Sequence, residues 1–263
     1  MSARTEAALV AAAQDRKGAL IGYLPVGYPD LQTSIDAAVA LVENGFDILE
    51  LGPPYSDPVM DGEIIQEATQ TALAAGFKLR DLFTAIREIT SRVDAPVLVM
   101  SYWNPIVQYG VDRFADDLKA AGGAGIITPD ITPEAAEEWI AASKRTGLDR
   151  VFLAAPTSTE ARLELITEAA TGFIYTVSTM GITGERASLD ANARTLVGRL
   201  REHGAARACV GIGISTAEHV AGVLEYADGA IIGTALVRAL RDGGIEGISK
   251  TARELALGAA RSH

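Results

Sequence analysis

The 263-residue chain reads as an α/β protein, a single-domain (β/α)8 TIM barrel over residues 1–263. Eight short apolar runs without polar alternation lie along it. Longer segments with apolar residues three and four apart separate them, most closed by glycine or Asn-Gly. Strands apolar on both faces and joined through helices form a parallel sheet covered by helices, and eight such units in this length match a closed barrel. An open doubly wound sheet is the alternative. No G-x-G-x-x-G opens a helix after the first run, and the unit count fits closure.

In chain order the strand candidates are 19–26 (ALIGYLPV), 46–52 (FDILELG), 95–102 (APVLVMSY), 124–130 (AGIITPD), 150–156 (RVFLAAP), 172–177 (GFIYTV), 207–213 (RACVGIG) and 228–234 (DGAIIGT). Extra helices are expected in three places. One is the alanine-rich N-terminus, which carries charges throughout and lacks the apolar core of a signal peptide. A second follows strand two, where 63–92 holds two helical segments split at Gly76. The third is at 245–260. No linker or low-complexity tract interrupts the pattern.

Composition narrows the function. Hydrophobic residues make up 48% and charged residues 22%, as in a folded globular chain. The formal net charge is -11 and the pI about 4.8. With no Lys/Arg-rich run, nucleic acid is not an expected partner. No run approaches 18 apolar residues, so no membrane span is expected. The single cysteine, Cys209, forms no internal disulfide and reads as a small core residue. Three scattered histidines form no metal constellation, and no metal or cofactor is expected. A reducing cytoplasm is the expected compartment.

Two regions carry chemistry. The stretch ILELGPPYSDPVMDG (48–62) runs an apolar strand onto Glu50 and follows it with a proline-stiffened loop bearing Asp57 and Asp61. Side chains alternate along a strand, so Ile48 and Glu50 share one face. Facing inward at the C-terminal rim, Glu50 would lose water, and its raised pKa would suit proton transfer. Facing outward, it would be a solvated or arginine-paired terminus; the residues alone leave both open. Asp57 and Asp61 each also fit an ordinary turn. The second region is VGIGISTAEHV and GAIIGTALVRAL. There Gly211 and Gly213 precede Ser215, a candidate N-cap, and Gly233 and Thr234 open the last helix. Glycine lets an anion approach backbone N–H groups at a helix start, and the loops after strands seven and eight are where barrels hold phosphate. Tight strand–helix packing is the competing explanation. Between these regions, STMGITGERASLD (178–190) is long enough for a lid.

LELGPPYSDPVMDGEIIQ, GYLPVGYPD, MSYWNPIVQYG, LAAPTST, YTVSTMGITG, GIGIST and GAIIGTALV together resemble the tryptophan synthase α-subunit family over nearly the whole chain. The resemblance implies retro-aldol cleavage of indole-3-glycerol phosphate to indole and glyceraldehyde 3-phosphate. Glu50 and Asp61 fall on the catalytic carboxylates. Tyr23, Tyr102, Tyr175, Thr183 and Gly184 fall on substrate-contacting positions, and Gly213, Gly233 and Thr234 on the phosphate cradle. It also implies an α2β2 complex with a β subunit that carries pyridoxal phosphate, contacted through Pro54, Asp57, Asn104 and Pro105. This chain differs from the family pattern at Met60, Glu63 and Thr234, usually alanine, proline and serine, and its Asp130-Ile131-Thr132-Pro133 lacks a proline. Rival readings are another phosphate-binding barrel enzyme, a flavin-binding barrel, and a β-subunit activator without chemistry of its own. The strand tips Pro25, Glu50, Tyr102 and Asp130 include none of the lysines that an indoleglycerol-phosphate synthase would need.

Overall fold

The computed structural model describes residues 4–177, 186–211 and 213–261. Eight parallel strands close in chain order: β1 (Ala19–Pro25), β2 (Ile48–Gly52), β3 (Val97–Met100), β4 (Gly125–Thr128), β5 (Asp149–Ala154), β6 (Ile174–Val177), β7 (Ala208–Gly211) and β8 (Gly229–Ile232). Closure is direct, with Ala19 opposite Gly229 and Gly22 opposite Ile232. All eight expected strands are present, most trimmed at their ends where the apolar runs enter turns, while β5 starts one residue earlier than expected, at Asp149. β2 continues two residues beyond Glu50, which therefore lies inside the strand and not at its tip. Tyr102 and Asp130 lie beyond the ends of β3 and β4.

Period-two alternation divides the strands between two cores. Ala19, Ile21, Ile48, Leu98, Ile127, Val151, Cys209 and Ile231 fill the barrel interior, while Leu20, Leu49, Val97, Ile126, Phe152 and Val210 face the surrounding helices. The N-terminal helix α1 (Arg4–Asp15) packs Leu9 and Ala12 onto the interior cluster beside Ala19, Ala124 and Phe173. These lie at the beginnings of strands, so α1 plugs the N-terminal end of the barrel and leaves the opposite end for chemistry.

The helical ring contains α2 (Leu31–Glu43), α3 (Glu63–Ala74), α4 (Leu79–Arg92), α5 (Trp103–Tyr109), α6 (Val111–Ala120), α7 (Glu137–Thr146), α8 (Glu160–Ala169), α9 (Arg186–Glu202), α10 (Ala217–Val223) and α11 (Thr234–Ala256). The expected pair after β2 is α3 and α4. A second pair, α5 and α6, follows β3, and the periodicity did not anticipate α5. That helix has seven residues with Pro105 in its first turn, where a missing N–H costs nothing; it is too short for an apolar stripe. α11 is two helical stretches joined at Gly244, whose φ of 58° breaks the helix just before the expected C-terminal segment. The α10 N-cap is Thr216, whose hydroxyl accepts the His219 N–H at 3.3 Å, and not Ser215. The β-region backbone of Thr216 places its own hydroxyl over the first turn.

Candidate active site

Glu50 is wholly buried at 0% exposure. It pairs in register with Tyr23, and two residues before it Ile48 points into the barrel, so its carboxyl projects into the interior below the C-terminal mouth. Among the described residues neither Oε1 nor Oε2 has a hydrogen-bond partner. Loss of water, reinforced by the Asp61 charge, pushes its pKa up to about 8. Of the two readings the sequence left open, the inward one holds, and among the described residues no arginine neutralises the group.

Asp61 reaches the same mouth from the loop after β2. Pro53 and Pro54 stiffen that loop, and a turn closes it where the Asp61 N–H donates to the Pro58 carbonyl at 3.2 Å. Gln66 Nε2 donates to the Asp61 carbonyl at 2.8 Å and ties the loop's end to α3. Burial raises Asp61 to about 6. The structure thus orders two neighbouring carboxyls: near pH 7 Asp61 is mostly ionised while Glu50 keeps its proton.

Tyr23, Tyr102 and Tyr175 surround the pair. Burial, then the charges of Asp61 and Glu50, raises Tyr23 well above the usual tyrosine range. Burial and then Glu50 does the same for Tyr175. Tyr102 is pushed up to about 12, chiefly by burial. Phenols in this setting stay protonated and wall the site without adding charge. Two glycines make room for them. A Cβ on Gly52 would lie 2.7 Å from Tyr23 Cε2, and one on Gly211 would lie 2.6 Å from the Tyr175 hydroxyl. Gly52 was not singled out from the sequence, and the Tyr175 contact of Gly211 was not foreseen, because such contacts between strands leave no signal in the spacing of one chain.

On the other wall, Gly233 is the N-cap of α11, and the N–H groups of Thr234 and Ala235 precede the first intrahelical bonds, which Leu236 and Val237 make to the Gly233 carbonyl. Gly213 lies after β7 with a left-handed φ of 70°, a conformation that turns backbone N–H groups toward one side of a loop. Gly233 also packs against Tyr23, 3.4 Å from Cδ1 to a notional Cβ, which joins this cradle to the tyrosine wall. Thr234 opens α11 as expected. Of the expected lid at 178–190, residues 178–185, with Thr183 and Gly184, lie outside the described residues, and 186–190 are the start of the helix α9 and not loop.

Of the expected partner-facing residues, Asp57 and Asn104 are exposed, Pro105 is half-buried and Pro54 is buried. Beside them Val59 is 82% exposed, and Met60 and Val107 are also uncovered, an apolar group on the rim. Among the described residues no three His, Cys, Asp or Glu side chains cluster so as to hold a metal, and no helix is long and apolar enough to cross a membrane.

Known proteins resemble the chain over nearly its whole length. The profile of the tryptophan synthase alpha chain family matches residues 9–261. The tryptophan synthase alpha chain of Leifsonia xyli subsp. xyli is 69% identical over 244 residues, 93% of this chain and 94% of that one. The corresponding Mycobacterium avium protein is 52% identical over 93% of this chain and 90% of its own length. Among solved structures, Mycobacterium tuberculosis tryptophan synthase superposes with a TM-score of 0.94 at 45% identity over 100% of both chains. The tryptophan synthase complex of Pyrococcus furiosus does so with a TM-score of 0.83 at 36% identity, over 91% of this chain and 98% of that one.

Proposed function

We propose, from the premise that the chain belongs to the tryptophan synthase alpha chain family, that it cleaves indole-3-glycerol phosphate to indole and glyceraldehyde 3-phosphate. The observation that carries this reading is the ordered carboxyl pair: Glu50 unpartnered and raised to about 8, with Asp61 beside it at about 6.

Indole is a poor leaving group as a carbanion. A proton placed on ring C3 turns it into an indolenine, which accepts the electron pair of the breaking C–C bond. Glu50, protonated at neutral pH, supplies that proton. As the bond breaks, the side-chain hydroxyl becomes the aldehyde, and its proton passes to the Glu50 carboxylate, restoring the acid. Positive charge develops at the ring nitrogen in the intermediate, and ionised Asp61 accepts the indole N–H and stabilises that charge. The two roles need opposite protonation states at one pH, and unequal burial supports this division. Tyr23, Tyr102 and Tyr175 form the wall against which the ring packs. The N–H groups about Gly213, Gly233 and Thr234 hold the phosphate through a helix start, which suits a chain with a net charge of -11 and no broad positive surface. We also assign substrate contact to Thr183 and Gly184, from the family resemblance.

The family works within tryptophan synthase, and we place the β-subunit contact on the rim bearing Val59, Met60 and Val107, with Asp57, Asn104 and Pro105 around them. Buried Pro54 shapes that loop from beneath. We assign pyridoxal phosphate to the β subunit and none of this chain's residues to it. The single-domain reading rests on closure of the sheet between β1 and β8, and a buried free Cys209 agrees with a reducing cytoplasm.

The test is to supply indole-3-glycerol phosphate and follow glyceraldehyde 3-phosphate by a coupled dehydrogenase, with and without the β subunit. Cleavage is expected in both states and faster in the complex. Absence of cleavage in both would refute the reading.

A further inference from the structure

We propose that the Tyr102 hydroxyl is a positioning group for Asp61: it holds the Asp61 loop against the barrel mouth through the Met60 amide, and so acts on the reaction through that loop. This inference rests on the proposed function.

The anchoring runs in one direction. Tyr102 is itself fixed on both sides. The Ser101 N–H donates to the Ile127 carbonyl at 3.1 Å, extending the sheet, and the Trp103 N–H donates to both oxygens of Asp130 at 2.9 and 3.1 Å. From this platform the Tyr102 hydroxyl accepts the Met60 N–H at 2.8 Å, one residue before Asp61. A second strap runs beside it. The Tyr55 ring packs on Tyr102 with centroids 5.3 Å apart, and the Tyr55 hydroxyl accepts a hydrogen bond from Asn104 Nδ2 at 3.1 Å. The remaining hydrogen bonds of Asp61, to Pro58 and Gln66, are local to the loop and its helix. They shape the turn but do not set its distance from Glu50. Among the described residues, the hydrogen bonds joining residues 55–61 to another part of the barrel are these two straps.

A charge-stabilising carboxylate is sensitive to its position; a displacement of about 1 Å can cost on the order of a hundredfold in rate. The latch also sits at the surface, since Met60 is partly exposed and water can satisfy its N–H once the phenol is gone. Losing the hydroxyl therefore costs little stability and much alignment.

The experiment compares Tyr102→Phe, Tyr55→Phe and Asp61→Asn in the full chain with its β subunit. Tyr102→Phe keeps the ring that faces the substrate. Its kcat is expected to fall roughly tenfold or more while KM stays within about threefold, and hydrogen exchange at the Met60 amide is expected to quicken. Tyr55→Phe is expected to show a smaller fall of the same kind. A Tyr102→Phe enzyme with the parent kcat, or one that loses affinity with unchanged Met60 exchange, overturns the latch and leaves Tyr102 as a pocket wall. The control separates the two ideas. If Asp61→Asn is as active as the parent, the proposed chemistry fails; if Asp61→Asn is crippled and Tyr102→Phe is not, the latch alone fails.

Discussion

Asp47 and Glu50 stand three residues apart, one just before β2 and the other inside it toward the C-terminal mouth, and the chain treats them in opposite ways. At the N-terminal end, Asp47 Oδ2 accepts the Leu20 N–H at 2.8 Å and Oδ1 pairs with Arg16. Asp228 repeats the device before β8, accepting the Ala208 N–H at 2.9 Å with Arg207 at 3.4 Å. Burial pushes Asp47 upward, but the Leu20 N–H and then Arg16 pull against it. Toward the mouth Glu50 is more deeply buried and, among the described residues, receives neither a donor nor a cation. One end uses carboxylates to tie strands together. The other keeps one uncompensated, and that cost is informative: a fold with arginines and strand N–H groups at hand leaves a buried acid unpaired where its proton is needed.

Replacing Glu50 with Gln breaks the comparison most sharply. Cleavage is expected to fall by roughly 10²–10⁴-fold. Stability should move the other way. The unfolded glutamate ionises near 4.5 while the folded one holds its proton to about 8. Over that window the native state binds more protons, and its stability declines as pH rises. Glu50→Gln removes the penalty, so its unfolding free energy in urea should match the parent's near pH 4 and exceed it increasingly up to pH 8, by on the order of a few kcal/mol. A variant that loses activity without this pH-dependent gain would mean that Glu50 is compensated in solution.

Asp61→Asn comes next. It keeps the shape but removes the charge facing the indole nitrogen, and a loss of roughly 10²–10³-fold in kcat is expected from steady-state assays. A near-normal rate would leave Glu50 as the only carboxyl at work.

The pH profile of kcat/KM sharpens the pair. Activity needs Asp61 ionised and Glu50 protonated, so a bell is expected with limbs near 6 and 8, each falling about tenfold per pH unit beyond its limb. A profile flat from pH 5 to 9 would contradict the assignment.

Asp47→Ala is the smallest and probes the structural end. Leaving the Leu20 N–H and Arg16 without their partner should cost about 1–3 kcal/mol in urea unfolding, with kcat per folded molecule unchanged within about twofold. A large kcat effect there would erase the distinction between the two ends.

Much of this was legible from residues. Eight strands and their order follow from apolar runs and helical spacing, since these record which side of each element meets a core, while the residues alone left the face of Glu50 open. The extra helices at the N-terminus, after β2 and near the C-terminus appear where expected. α5 escaped because seven residues around a proline carry no period. The cap moved from Ser215 to Thr216 because adjacent hydroxyls are equivalent on paper, and only the backbone angles choose between them. Pro54 was grouped with the exposed rim although it lies beneath it, as the apolar wall of a loop and its exposed tip read alike in sequence.

By itself the sequence determined the repeating units, their number, and the carboxyl and glycine residues offered to the barrel mouth, because local periodicity and turn chemistry are written in neighbouring residues. Only the tertiary structure decided that Glu50 has no partner among the described residues, that Asp61 titrates below it, and that the Met60 amide rests on Tyr102. Those facts depend on what water is excluded and which distant groups meet when the sheet closes, and residues 42 positions apart meet only when the chain has folded.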